Sequence, residues 1–170
     1  ALLKVLEEPN DNIFFVLINN NKKILPTLKS RCLNYKITLS FNQSIKIVNK
    51  IICDDVNNLI NKELISYYST PGKLLQLISY GSEFNINLKN INLKELIFQI
   101  IHDKHFKKNN SIKELTYYLI ELYFRSTISI KNIKLINLYN LFIKKIDSTR
   151  KFNLDDEVIF MEFNENILNG

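Results

Sequence analysis

The amino-acid sequence predicts a mainly α-helical protein with a small α/β part at its N-terminal end. Residues 13–18 form a continuous apolar, β-rich run without polar alternation, which is typical of a strand covered on both faces. A short helix and a second strand-like segment follow closely, as at the edge of a parallel sheet. From about Phe41 onward, apolar residues recur at helical spacing, so the rest of the chain is predicted to be helical.

The first forty residues alternate between helix and strand. Ala1–Glu8 contains good helix formers, and Pro9 ends that helix. A polar loop of Asn and Lys separates the first strand, Ile13–Ile18, from a short helix over Leu25–Ser30. Cys32–Thr38 is then predicted to be a second strand.

The remaining residues predict two groups of helices joined by the polar, Asn-rich stretch Gly81–Asn92. Thr70 and Pro71 predict the start of one helix, because a capping hydroxyl precedes proline near the first helical position. Ser111 and Glu114 predict a capping box at the start of another. The predicted helices are Asn42–Cys53, Val56–Tyr68, Lys73–Tyr80, Leu93–Phe106, Ser111–Ser126, Ile130–Asp147 and Leu154–Leu168.

Charge and composition give weak evidence about partners. The formal net charge of +6 and the pI near 9.2 are compatible with nucleic acid, but a lysine excess on solvated surfaces explains them better. Asn, Ile and Lys dominate the composition, which indicates AT-rich codons. Arg31, Arg125 and Arg150 are the arginines, so most of the positive charge is lysine, which does not form bidentate contacts.

The cysteines and histidines do not predict a metal site. Cys32 and Cys53 lack a metal-binding spacing, and we expect buried free thiols in a reducing cytoplasm. His102 and His105 are predicted to mark a surface helix end. The sequence has neither a long apolar run nor a basic leader, and it begins with Ala1 inside a predicted helix. We therefore expect a cytoplasmic fragment whose N-terminal part is missing.

The segment Ile24–Cys32 is the most informative in the sequence. It reads Ile-Leu-Pro-Thr-Leu-Lys-Ser-Arg-Cys, and it predicts a short helix that delivers Arg31 beside a strand. An arginine in that position can bind an anion. In oligomeric ATPases, such a guanidinium contacts the γ-phosphate in a neighbouring subunit. Taken alone, Arg31 would more often cap its own helix or pair with a nearby carboxylate.

This segment, preceded by Leu6-Glu7-Glu8-Pro9 and the apolar strand, resembles the sensor-1 and "SRC" region of the bacterial clamp-loader ATPases. Within that AAA+ family, the resemblance is greatest to the delta-prime subunits. It implies that residues 1–40 form the C-terminal edge of an AAA+ parallel-sheet core. Residues 41–81 would then form a three-helix lid, and residues 82–170 a helical collar that mediates oligomerisation.

The resemblance also implies roles for individual residues. Arg31 matches the arginine finger that acts on the adjacent subunit, while Pro26, Thr27, Ser30 and Cys32 match positions that shape this motif. Two further positions match nucleotide sensors: Asn19 for sensor 1 and Lys73 for sensor 2. Lys73 lies in Ser69-Thr70-Pro71-Gly72-Lys73, where relatives commonly carry arginine, and a helix start that packs leucines into the lid explains this segment equally well.

The C-terminal Asn153-Leu154-Asp155 is similar to a turn that precedes the last collar helix of the family, with Asn153 and Asp155 as cap residues. The apolar residues Leu115, Leu119, Leu122 and Phe142 are expected to be divided between the collar core and its contacts with other subunits.

The cofactors and partners implied by the family follow from this assignment. ATP with Mg would bind at the adjacent subunit, or also through residues before Ala1, and a zinc site would lie only in that missing part. The 170 residues contain no glycine-rich phosphate loop and no Asp-Glu pair of the Walker B type, so no complete active site is expected. Expected partners are the gamma/tau and delta subunits, the sliding clamp and primed DNA, within the ATP-driven DNA polymerase III holoenzyme, a nucleotidyltransferase.

Two alternatives remain open from the sequence. One is a fragment of a gamma/tau ATPase subunit of the same complex. The other is a noncatalytic helical adaptor whose first forty residues resemble an ATPase by chance.

Overall fold

The computed structural model describes residues 12–19, 24–128 and 133–168. The predicted helix Ala1–Glu8 and most of the polar loop before Ile24 lie outside these residues. The chain divides into two compact units, Ala1–Thr38 and Leu39–Gly170.

The first unit contains the short helix predicted from the sequence. Helix α1 spans Pro26–Lys29, with proline at its first position and no side-chain cap from Leu25. Proline suits this position because its fixed φ is already helical and its missing N–H would have no intrahelical partner. The prediction of a helix within Leu25–Ser30 is therefore confirmed.

The two predicted strands of the first unit are not strands in the structure. Residues 13–18 and 33–38 are non-helical and carry no strand assignment, and both segments are exposed to solvent. Phe14 is 92% exposed and Ile37 is 86% exposed. A strand requires a hydrogen-bonded neighbour, and no such neighbour lies within the described residues. The predicted sheet edge, covered on both faces, is therefore not observed.

The second unit is mainly helical, as predicted. Its helices are α2 (Phe41–Ile52), α3 (Val56–Leu59), α4 (Pro71–Glu83), α5 (Leu93–His102), α6 (Asn110–Thr127), α7 (Ile133–Phe152) and α8 (Asp156–Phe163). Two 3₁₀ turns span Lys62–Leu64 and His105–Lys107, and a π-helical turn spans Asn164–Leu168. Helix α6 packs against α4, α5 and the second 3₁₀ turn, while α7 packs against α8.

The predicted helix Val56–Tyr68 is wrong as a single element. It breaks after α3, because Ile60 and Ile65 adopt extended conformations. Asn61 stabilises the break: its side chain accepts a hydrogen bond from the backbone N–H of Glu63 and donates to the carbonyl of Ile91. Asn side chains favour such local bonds over a helix interior.

Two other sequence predictions need correction. The N-cap of α6 is Asn109, whose side chain accepts from the N–H of Ile112, and not Ser111. The stretch Gly81–Asn92 is not a free linker. Gly81 is buried against Leu88, and a Cβ atom added to Gly81 would lie 2.7 Å from the Leu88 side chain. Asn61 also donates its backbone N–H to the Leu88 carbonyl at 2.8 Å, so this segment is packed onto the preceding turn.

An aromatic cluster lies at the centre of α6, α7 and α8. The Phe124 ring lies 5.2 Å from that of Tyr139 and 5.6 Å from those of Phe142 and Phe163. The leucines predicted to be divided between core and contact, together with Phe142, are all buried: Leu115, Leu119, Leu122 and Phe142. They therefore belong to the core of this unit. No helix within the described ranges is long and apolar enough to cross a membrane.

Candidate functional site

Arg31 lies directly after α1 in the first unit and is exposed. Its Nη1 donates to the carbonyl oxygen of Thr27 at 2.9 Å, so the guanidinium folds back over its own helix. This is the local capping role that the sequence left open. The residue lies at the surface of the first unit.

The turn that carries Arg31 is held by side-chain hydrogen bonds. The Ser30 hydroxyl donates to the Thr27 carbonyl at 3.1 Å, as expected for a residue that fixes the end of the helix. The Asn34 amide donates to the carbonyls of Lys29 at 3.1 Å and Cys32 at 2.9 Å. Asn34 is not among the residues predicted from the sequence for this site. Its signal would have been an asparagine just after a helix end, a residue type that bonds to nearby backbone.

Two further predicted residues of the first unit, Pro26 and Cys32, belong to the same segment as this turn. Pro26 begins α1, and Cys32 is a half-buried free thiol. Asn19 is exposed at the end of the described segment 12–19. Cys53, in the second unit, is exposed at the end of α2 in the left-handed conformation, so the expectation of a buried thiol is wrong there. Its exposure follows from its position as the C-cap residue, directly after the last residue of α2.

Lys73 lies in the first turn of α4 in the second unit, and α4 begins at Pro71, two residues before the predicted start at Lys73. Thr70 caps this helix by accepting from the Lys73 N–H at 3.3 Å, and Pro71 occupies the first helical position. Leu74 and Leu77 on the same helix are 1% exposed. The structure thus confirms a helix start that packs leucines into the core.

The Lys73 side chain turns toward α6. Its Nζ donates to Gln76 Oε1 at 3.1 Å and to the Glu114 carbonyl at 3.4 Å, and it lies 5.7 Å from the centre of the Tyr118 ring. Ser69 and Tyr118 share a hydrogen bond of 2.5 Å between their hydroxyl oxygens. Burial raises the pKa of Tyr118, so its hydroxyl stays protonated at neutral pH.

These contacts form a polar seam between α4 and α6, defined by Ser69, Lys73 and Gln76 on one side and Ser111, Glu114 and Tyr118 on the other. Gln76 completes it by donating to the backbone carbonyl and the hydroxyl of Ser111. The spacing of the residues on each side is helical, so the two helices meet along one face. In this structure, Lys73 therefore serves the packing of α4 on α6.

The C-terminal turn has the caps that the sequence predicted. Asp155 caps α8 by accepting from the Glu157 N–H at 2.9 Å, and Asn153 adopts a positive φ of 50° at the end of α7. The first two residues of α8 then bind surrounding cations. Asp156 pairs with Lys113, and Glu157 pairs with both Lys104 and Lys107. The two lysines hold the pKa of Glu157 below its usual value.

The two histidines have different environments. His102 is exposed at the end of α5, as predicted. His105 instead packs its ring 3.9 Å from that of Phe84 and hydrogen bonds to the Tyr80 hydroxyl at 2.7 Å, so it is not a surface residue. Among the residues whose placement is described, no cluster of His, Cys, Asp and Glu could hold a metal ion.

Several large apolar side chains are exposed on α7, on α8 and in the turn between these helices: Leu141, Phe152, Leu154, Val158 and Met161. Leu154, Val158 and Met161 follow a spacing of four and three residues, which places them on one side of the chain entering and forming α8. Lys145 and Glu162 form an ion pair that joins α7 to α8.

Comparison with known proteins identifies relatives of this chain. Residues 1–40 match a family model described as "DNA polymerase III, delta subunit". DNA polymerase III subunit gamma of Buchnera aphidicola subsp. Schizaphis graminum is 36% identical over 99 residues, which cover 53% of this chain and 27% of that protein. The subunit of the same name from Buchnera aphidicola subsp. Baizongia pistaciae is 37% identical over 83 residues, covering 48% of this chain and 20% of that protein.

The chain thus spans 20–27% of the length of these relatives. No solved structure matches it. The similarities support the clamp-loader family of DNA polymerase III subunits, and the matched residues 1–40 include Arg31.

Proposed function

We propose that this chain is part of a delta-prime-type subunit of the DNA polymerase III clamp loader. In this role it is a noncatalytic or weakly nucleotide-binding component that supplies Arg31 to the ATP site of a neighbouring subunit. The complex uses ATP to load the sliding clamp onto primed DNA during replication in the cytoplasm. The observation that carries the proposal is the exposed position of Arg31 in the segment matched by the family model.

The domain organisation follows the same proposal. Residues 1–40 belong to an AAA+ core, residues 41–81 to its lid and residues 82–170 to the collar. The exposed apolar side chains of residues 13–18 and 33–38 support this assignment. Such side chains suit strands of a parallel sheet, whose two faces become covered when helices pack against them.

The residues present fit ATP only in part. Exposed cations lie at the surface of the first unit, among them Lys29 and Arg31, but the sequence has only three glycines and no glycine-rich loop to surround phosphates. A bound nucleotide with Mg would therefore sit mainly on another subunit. Arg31 must leave the Thr27 carbonyl to reach it. Because the guanidinium is charged, the net value of this hydrogen bond is about 1.5–3 kcal/mol, and a bidentate arginine–phosphate contact would replace it with two charge-assisted bonds.

Asn19 and Lys73 are the candidate sensor 1 and sensor 2 positions of this proposal. Asn19 is exposed in the first unit, which is compatible with contact to a nucleotide. Lys73 has to give up its contacts with Gln76 and Glu114 before it can meet a phosphate. The proposal therefore depends on Arg31 and does not require either sensor.

The collar assignment leads to a proposed assembly surface on α7 and α8, formed by Leu141, Phe152, Leu154, Val158 and Met161. The partners would be the gamma/tau and delta subunits. Val158 is 64% exposed, so Val158→Glu should weaken subunit association and leave the fold intact. Exposed Asn140→Glu on α7 provides a control. If Val158→Glu associates with the other subunits as well as Asn140→Glu does in size-exclusion chromatography, this surface is not part of the interface.

The main test replaces Arg31. In a reconstituted clamp loader, Arg31→Ala should lower kcat for ATP about tenfold or more at the site that Arg31 completes, because arginine fingers act on transition-state charge. Lys29→Ala is the matched control, since it removes an exposed cation from the same helix. If both variants turn over ATP at the rate of the unmodified complex, the finger role is wrong.

A gamma/tau subunit is the second candidate, and one observation favours it. Both curated relatives are named as the gamma subunit. A complementation assay of clamp loading separates the two candidates. Under the first proposal, the protein should restore clamp loading to a complex reconstituted without its delta-prime subunit. Under the second, it should restore clamp loading to a complex reconstituted without its gamma subunit.

A further inference from the structure

We propose that Asn34 is a positioning residue for Arg31. It holds the turn from which the guanidinium projects. This inference rests on the proposed function, because the aim of Arg31 matters only if Arg31 meets a phosphate. Neither the motif around Arg31 nor the sensor positions include Asn34.

Helix α1 is too short to fix the direction of Arg31 by itself. It spans only Pro26–Lys29, and Leu25 provides no side-chain cap. Forming a first helical turn is unfavourable, and isolated helices of this length are not stable in water. The side chains at the end of α1 therefore have to supply the order that the helix lacks.

The Asn34 amide binds backbone on both sides of Arg31. Its Nδ2 donates to the Lys29 carbonyl at 3.1 Å, before Arg31, and to the Cys32 carbonyl at 2.9 Å, after it. A side-chain amide nitrogen has two donor hydrogens, so both can be used in this arrangement. The Arg31 N–H donates to the Leu28 carbonyl at 3.2 Å within the same turn. These bonds restrict the backbone directly at Arg31.

The chemistry of the amide makes the role testable. In Asn34→Asp the side chain keeps its shape but loses both donors, and the new carboxylate repels the two carbonyls. Asn34→Ala removes the contacts without adding charge. In both variants we expect the turn to sample more conformations, so Arg31 spends less time in the orientation from which it contacts the phosphate. Small misplacements of catalytic groups have large effects on rate.

The experiment compares Arg31→Ala, Asn34→Asp, Asn34→Ala and the double variant Arg31→Ala/Asn34→Asp in the reconstituted clamp loader. Asn42→Asp is the control, because it makes the same chemical change at an exposed position of α2. We expect both single Asn34 variants to lower kcat about 3- to 10-fold, with KM for ATP nearly unchanged. The double variant should match Arg31→Ala, since Asn34 acts only through Arg31.

Amide hydrogen exchange of the complex gives a second measurement. Residues 28–33 should exchange faster in both Asn34 variants and not in Asn42→Asp. If Arg31→Ala lowers kcat but the Asn34 variants do not, Asn34 is not a positioning residue. Additive losses in the double variant would overturn the inference too. If Arg31→Ala itself has no effect, the proposed function fails, and this inference fails with it.

Discussion

The two units of the molecule place their apolar side chains differently. In the described part of the first unit, Phe14, Val16 and Ile18 are each more than 80% exposed, and one helical turn is the sole regular element. In the second unit, α4, α5, α6 and α8 bury large side chains almost completely. The comparison indicates that the second unit carries the stability of the described fold, while the first carries the residue with the sharpest candidate function. Substitutions should therefore separate stability from activity.

The largest expected difference concerns two phenylalanines. Phe124 is fully buried among three aromatic rings, so Phe124→Ala should lower the free energy of unfolding by about 3–5 kcal/mol. Phe14 is 92% exposed, so Phe14→Ala should change the free energy of unfolding by less than about 0.5 kcal/mol. Urea denaturation of the 170-residue chain measures both. Similar losses for the two variants would contradict the contrast between the units.

A smaller effect is expected at the polar seam. Tyr118→Phe removes the hydroxyl that binds Ser69, a residue only 2% exposed, and should lower the free energy of unfolding by about 1 kcal/mol. Tyr67→Phe is the control, because Tyr67 is 81% exposed and its ring contact with Phe41 is retained. A loss of the same size in Tyr67→Phe would show that the seam is not the cause.

The smallest effect is expected on acidification. Lys107 and Lys104 lower the pKa of Glu157 in the folded state, so this carboxylate stabilises the fold at pH values above its usual pKa. Its contribution should be lost as the pH falls below about 4. Stability measured by urea denaturation between pH 3 and 7 should fall less steeply in Glu157→Gln. Exposed Glu165→Gln should retain the full pH dependence.

The same contrast explains which features could be predicted from the sequence. Local signals were sufficient for α1, for the Thr70 cap of α4 and for the Asp155 cap of α8, because proline and capping side chains act within one turn. The break at Ile60 could not be predicted, since Asn61 stabilises it through the distant carbonyls of Leu88 and Ile91.

The two predicted strands depend on other segments that pair with them and cover them. A continuous apolar run indicates burial, but the described residues include no segment that buries residues 13–18. Contacts between distant parts of the chain limited the prediction of the candidate site in the same way. The sequence selected Arg31 from its motif, but the contact of Lys73 with Glu114, 41 residues away, is visible only in three dimensions.

The most direct test asks what residue 31 touches in the assembled complex. Arg31 is exposed, so a photo-crosslinking phenylalanine derivative can replace it without disturbing a core. In the reconstituted clamp loader with ATP, we expect the probe to form a covalent link to the nucleotide-binding domain of the neighbouring subunit, and the same probe at exposed Lys50 of α2 to give no such link. Crosslinks confined to the probe's own chain would contradict the proposal that Arg31 acts across a subunit boundary.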